Sequence, residues 1–224
     1  MSIAEKLNAV AENEKKVYDA GKQAEYNDFW DVYQQNGKRT DYNQAFGNLG
    51  WTNETFNPKY DLICSASSGM FAYAGITNNL KQLLIDKGII LDTSKSSNAS
   101  YMFRNSKLTH LPFLDLSNAG YLGATFAYSP DLTELSIKVN ENATFPNCFD
   151  YDTSLTDVTV SGTIGNEIRF TQSPLLSSES VQSIIDALKD LTGKTSKKVY
   201  FHSSVLERIT DEQFATITAK NWTI

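Results

Sequence analysis

Hydrophobic positions along the chain follow three rhythms. The first runs from Ile3 to about Gln35. Apolar residues fall at Ile3, Leu7, Val10, Val17 and Ala24, with Glu14 and Gly21 at the two remaining seam positions. Steps of four and three predict a helix with a coiled-coil type of seam. The stretch has no proline, one glycine and many good helix formers. Two readings of the seam stay open: self-association through Ile3, Leu7, Val10 and Val17, or a helix packed on its own domain. Tyr26, Phe29, Trp30 and Tyr33 then share one helical face, too apolar to leave in water. Asn36-Gly37 ends the helix, glycine being suited to a left-handed cap. Residues 1–36 are thus read as an N-terminal helix. Residues 37–69 carry Tyr42, Phe46, Trp51, Phe56 and Tyr60 among glycines and a proline. They read as a compact aromatic-rich connector with a short helix near Asp41–Phe46, since disordered segments are poor in aromatics.

The second rhythm is a repeat. Phe103, Phe126, Phe149 and Phe170 are 23, 23 and 21 residues apart. Three copies continue into Leu-Thr-x-(Leu/Val): Leu108–Leu111, Leu132–Leu135 and Leu155–Val158. Self-similarity at one period is the signature of a repeat architecture. After each Leu-Thr element the pattern alternates, as in Leu135-Ser-Ile137-Lys-Val139 and Val158-Thr-Val160. Period two predicts a strand with one buried face. The phenylalanine fills the core opposite the strand, and Ser, Asn, Asp and Pro supply turns. A degenerate earlier copy runs from Met70-Phe71, with a helix over Asn79–Lys87 and a strand over Ile89–Leu91.

At these residues the chain resembles the BspA-like leucine-rich repeat proteins, whose repeat has the shape Phe-x(4,5)-Leu-Thr-x-Leu-x-Val. The stretch Ala24-Glu-Tyr26-Asn-Asp-Phe-Trp30-Asp-Val-Tyr-Gln-Gln-Asn-Gly37 is similar to the leader of prophage-encoded members from intestinal Firmicutes. So are Gly50-Trp51-Thr-Asn-Glu-Thr-Phe-Asn-Pro58-Lys-Tyr60-Asp and the ending Lys220-Asn-Trp-Thr-Ile224. The resemblance implies a phage-particle or surface-recognition role and no particular chemistry.

The third rhythm is helical again. Val181, Ile184, Ile185 and Leu188 lie on one face of a helix opened by a capping serine at Ser178, and Leu191 extends that face. Val199-Tyr-Phe201 reads as a strand, and Thr210-Asp-Glu-Gln213 as a capping box. The expected fold is therefore α+β: an N-terminal helix (1–36), a connector (37–69), a short leucine-rich-repeat-like solenoid (70–177) and a C-terminal α/β cap (178–224) that covers the last coil.

Charge and composition narrow the function. The excess of 26 Asp+Glu over 20 Lys+Arg argues against a nucleic-acid partner. Two cysteines, Cys64 and Cys148, cannot make a disulfide-dense scaffold, and two histidines, His110 and His202, remove most histidine–metal sites. No apolar run approaches the ~20 residues of a membrane helix. The start Met-Ser-Ile-Ala-Glu-Lys lacks a signal-peptide profile. Cytoplasmic synthesis is expected, and the resemblance adds incorporation into a phage particle.

Candidate chemistry is sparse. Gly193-Lys194-Thr195 lacks the earlier glycine and the preceding strand of a phosphate loop, so Gly193 is read as a helix C-cap. Cys64-Ser-Ala-Ser-Ser-Gly69 offers nucleophiles without a nearby base. Asp115, Asp131, Asp150, Asp152 and Asp157 do not form a calcium loop. The Asn-x-(Ser/Thr) triplets at Asn53, Asn98, Asn142 and Asn221 reflect composition. Catalytic, metal and cofactor sites are therefore expected to be none. The candidate binding face is the outward set of strand positions: His110, Glu134, Ser136, Lys138, Asp157 and Thr159. Tyr73, Tyr101, Tyr121, Tyr128 and Tyr151 fall on or near turns, where exposed rings can stack on sugars. The leading expectation is a non-catalytic structural or recognition protein that meets a protein or a surface glycan. An intracellular adaptor is one alternative. The other is an enzyme with a pocket between connector and repeats, marked by a histidine beside a carboxylate or Cys64.

Overall fold

Phe71, Phe103, Phe126, Phe149 and Phe170 form one column of stacked rings. Successive centroids are 5.4, 5.9, 5.4 and 4.4 Å apart, and all five side chains are buried. The structure is a computed structural model that describes residue 30 and residues 33–35, 37–47 and 51–224. The N-terminal helix and its seam at Ile3, Leu7, Val10 and Val17 lie outside the described residues.

The elements are β1 (Leu62–Ile63), β2 (Thr77–Asn79), α1 (Leu80–Lys87), β3 (Leu91–Asp92), β4 (Lys107–His110), β5 (Leu114–Asp115), β6 (Glu134–Val139) and β7 (Asp157–Gly162). They continue with β8 (Ile168–Phe170), α2 (Ser178–Ala187), β9 (Lys197–Phe201), α3 (Ser203–Leu206), α4 (Asp211–Ala219) and β10 (Trp222–Thr223). All strand pairs among the described residues are parallel. β6 and β7 pair residue for residue from Glu134↔Asp157 to Val139↔Gly162. Leu135, Ile137 and Val139 are buried while Glu134, Ser136 and Lys138 are half-exposed, as the alternation predicts.

The expected α+β class with a leucine-rich-repeat-like solenoid is overturned. The chain is mixed α/β, with helices interspersed among parallel strands. Those strands fall into three separate sheets of two (β1-β3), three (β10-β9-β8) and five strands (β2, β4, β5, β6, β7). A solenoid of that kind would run its strands into one continuous sheet. Within the five-stranded sheet, hydrogen-bond accounting explains where its edges are interrupted and closed. Pro112, which has no N–H to donate, separates β4 from β5, and both lie along the edge of β6 opposite β7. The outer edge of β7 is closed by α2 rather than by another strand. Ser180 Oγ accepts the Val158 N–H at 2.7 Å and donates to Thr156 O at 2.8 Å, and Ser183 Oγ accepts the Val160 N–H at 2.9 Å. Two serines one helical turn apart thus satisfy donors that a following strand would have used.

Smaller expectations also change. Residues 41–46 form bends with a bridge from Asp41 to Ala66, not a helix. α2 is capped by Ser177 rather than Ser178 and stops at Ala187, so Leu191 is buried outside it. Gly193, at φ +73°, sits in a later turn and does not cap that helix. The capping box of Thr210 and Gln213 is present at α4.

The turns around the phenylalanine column are hydrogen-bonded to one another. The N–H groups of Phe71, Phe103 and Phe126 donate to Met102, Thr125 and Cys148 carbonyls at 2.7, 2.8 and 3.0 Å. Beside the rings runs a buried polar column three residues after each of the last four phenylalanines: Ser106, Ser129, Asp152 and Ser173.

The chain divides into two compact units. One comprises residues 1–39 and 57–60. Within it the buried Gln34 amide ties the return segment down: Oε1 accepts from the Lys59 N–H at 2.8 Å, and Nε2 donates to Tyr60 O at 2.8 Å. The other unit, residues 40–56 and 61–224, holds every strand and site discussed below.

Candidate binding surface

The six strand positions read from the sequence do share one face of the five-stranded sheet. His110, Glu134 and Asp157 stand in one cross-strand row, Ser136 and Thr159 in a second, and Lys138 faces Ser161 in a third. Their charges are largely engaged with neighbours. Glu134 accepts from Lys81 Nζ at 3.0 Å and lies 3.8 Å from His110 Nε2. Lys138 Nζ contacts Asp115 Oδ2 at 3.0 Å, and Asp157 Oδ2 accepts from Thr156 Oγ1 at 3.0 Å. Burial pushes the Asp115 carboxyl up, but hydrogen bonds from Ser117 and Lys138 outweigh that and hold it below the usual range. This face is internally paired.

The turn edge differs. The residue two positions before Phe46 and before four of the five column phenylalanines adopts left-handed φ: Gln44 before Phe46, Gly69 before Phe71, Tyr101 before Phe103, Ala124 before Phe126 and Asn147 before Phe149. The residue two positions after does likewise at Tyr73, Asn105, Tyr128 and Tyr151, with φ between +53° and +63°. Left-handed backbone suits glycine and asparagine and costs other residues about 1–2 kcal/mol. Four tyrosines carry that strain here, and each keeps 40–49% of its surface exposed. Burial does not explain a strained, exposed aromatic row, and strain of this kind gathers at functional sites.

Two concavities lie along this edge. One, of about 400 Å³, is lined by Gly47, Gly69 and Ala72 together with Gln44, Tyr73, Tyr101 and Arg104. A Cβ on Gly47 would stand 2.7 Å from Ala72 O and 2.9 Å from Gly69 O, so that residue must stay glycine. The other, of about 190 Å³, takes in Tyr121, Tyr128 and Asp150 and shares Tyr101 and Arg104 with the first. The Arg104 guanidinium lies 5.6 Å from the Tyr101 ring centroid and 5.3 Å from that of Tyr128, and Tyr128 stacks on Tyr151 at 4.6 Å. Arg104 Nε is buried without a hydrogen-bond partner, and Arg104 has no ion pair among the described residues.

The reactive side chains are placed elsewhere. Burial, with a smaller push from Asp92, raises the Cys64 thiol to about 12, and burial raises the Cys148 thiol further. Both are free thiols in the core. His110 Nδ1 pairs with Thr109 Oγ1 at 2.9 Å. His202 caps α3, its Nδ1 accepting the Ser204 N–H at 3.2 Å, while Ser204 Oγ donates to Pro174 O. Neither concavity includes a histidine or cysteine. Among the described residues no group of three or more His, Cys, Asp or Glu could hold a metal ion, and no helix is long and apolar enough to cross a membrane.

The sequence marks the tyrosines as turn residues but assigns no role to Arg104, Gln44 or Gly69. Their signal is positional, since Gln44 and Gly69 fall two residues before Phe46 and Phe71 and Arg104 directly follows Phe103. Compared with known proteins, the chain matches no family model, no curated protein and no solved structure.

Proposed function

We propose that the chain is a non-catalytic recognition protein that binds a cell surface through its tyrosine-bearing turn edge. The observation that carries this reading is the row of exposed tyrosines held in left-handed backbone around two open concavities. Aromatic rings anchored on a rigid column supply contact area with little side-chain entropy to lose. The core thiols and the engaged histidines supply no activated nucleophile–base pair, which supports recognition over catalysis. The internally paired strand face supports placing the contact on the turn edge. The resemblance of the stretch Ala24–Gly37 and of the ending Lys220–Ile224 to prophage-encoded proteins, which does not depend on the repeat fold, supports a bacterial surface as the target.

Retention of the labelled full chain on intact bacterial cells tests the proposal. The wild type should sediment with cells, and a Tyr73→Ala, Tyr101→Ala, Tyr128→Ala triple variant should stay in the supernatant with its circular dichroism unchanged. Equal behaviour of the two proteins, bound or unbound, would reject it.

A further inference from the structure

We propose that the 400 Å³ concavity at Tyr73, Tyr101 and Arg104 is a binding site for an acidic saccharide: a pyranose ring bearing a carboxylate. This rests on the recognition reading above and names its ligand class. Size comes first. The volume falls within the range of small-ligand pockets, about 300–1,000 Å³, rather than that of a flat protein interface. It accommodates one or two sugar rings.

Chemistry follows from the lining. A pyranose presents an apolar C–H face and a rim of hydroxyls. Tyr73 and Tyr101 offer exposed aromatic surface for the first and phenolic oxygens for the second. The Gln44 side-chain amide, which makes no hydrogen bond within the described residues, adds two donors and an acceptor.

Charge selects the acid. Arg104 is a cation without an ion pair among the described residues, in a chain of net charge −6, and its buried Nε–H has no acceptor. A buried unmet donor is destabilising until something accepts its hydrogen bond. A carboxylate is the group that a guanidinium fork matches with two parallel hydrogen bonds. The Arg104 backbone is fixed from both sides: its N–H donates to Tyr101 O at 3.1 Å, and its carbonyl accepts the Tyr73 N–H at 2.9 Å. The turn that carries Tyr101 and Arg104 is therefore hydrogen-bonded to the neighbouring turn that carries Tyr73. Asp150 lies at the far concavity, so an acidic ligand is favoured at the first and disfavoured at the second.

Titration calorimetry on the full chain tests this. The probes are trigalacturonate and 3′-sialyllactose as two sources of a carboxylated pyranose, cellotriose as a neutral sugar, and triglutamate as an acidic peptide. At least one carboxylated sugar should bind, about tenfold or more tighter than cellotriose and triglutamate. Which one binds identifies the source. Arg104→Gln should remove that preference, and Tyr73→Ser should weaken binding while leaving the preference in place. Melting curves confirm that each variant is folded, and either variant alone suffices for the comparison. Equal binding of cellotriose, tighter binding of triglutamate, binding unaffected by Arg104→Gln, or no carboxylated sugar bound would each overturn the assignment. If the sugars fail while cell retention still depends on the tyrosines, the ligand class is wrong and the recognition reading stands. If retention also fails, both fall.

Discussion

Asp152 stands where Ser129 stands one repeat earlier, and its Oδ1 accepts the Ser129 N–H at 3.0 Å. The serine column thus receives a carboxyl at its third position. Ser129 itself donates to Phe103 O at 2.8 Å and pairs with Ser106 Oγ at 3.2 Å. Asp152 Oδ2 has no such partner. Burial is the main reason the Asp152 carboxyl is raised well above its ordinary value; the Ser129 N–H offsets part of this, and the charge of Asp150 adds to it.

A raised folded pKa favours the folded state at low pH. The contribution of Asp152 is complete below the unfolded value of about 3.9 and is lost as pH rises through the folded value. Asp152→Asn mimics the protonated acid at every pH. The variant should match the wild type near pH 3.5 and become progressively more stable than it above about pH 4. Urea melts across pH 3.5–8 check this; parallel stability curves would contradict it.

Phe126 lies between Phe103 and Phe149, 5.9 and 5.4 Å away, and is fully buried. Phe126→Ala removes a ring from the middle of the column and should cost about 3–5 kcal/mol. A loss below about 1 kcal/mol in urea would mean the column is not the core.

Ala124 has φ +50° with no side-chain group to stabilise a left-handed turn. Ala124→Gly should therefore raise stability, by up to about 1–2 kcal/mol less the entropy glycine gains when unfolded. A destabilised variant would contradict the left-handed assignment for the turn edge.

Much of this architecture is legible in the chain. The alternation at Leu135–Val139 and Val158–Val160 marks β6 and β7 because each buries a single face. The phenylalanine column is legible because one ring recurs per repeat. Sheet continuity is not, since it depends on where each backbone N–H finds an acceptor. Hydrophobic spacing does not reveal that Pro112 interrupts one edge or that Ser180 and Ser183 close another. The sequence leads one to expect a short helix near Asp41–Phe46. In fact Tyr42 and Phe46 are buried from a hydrogen-bonded turn, their N–H groups donating to Ala66 O and Met70 O. The tyrosines stood out in the sequence, but the concavity needed the φ signs of Gly69, Tyr73 and Tyr101.

The closed edge of β7 gives a further test. Ser180→Ala leaves the buried Val158 N–H without its acceptor and should cost about 1–3 kcal/mol, more than a solvent-facing serine would. Hydrogen exchange of this variant should show faster exchange of the Val158 N–H relative to β6. Unchanged protection would mean the serines do not close the sheet.

Hydroxyl-radical footprinting of the full chain, free and bound to intact bacterial cells, tests the central claim most directly. Exposed aromatics off the turn edge, Phe113 at 52% and Phe214 at 50%, serve as internal references. The account predicts protection of Tyr73, Tyr101 and Tyr128 on binding, with Phe113, Phe214 and His110 unchanged. Protection centred on His110 and the strand face, or no change at the tyrosines, would contradict it.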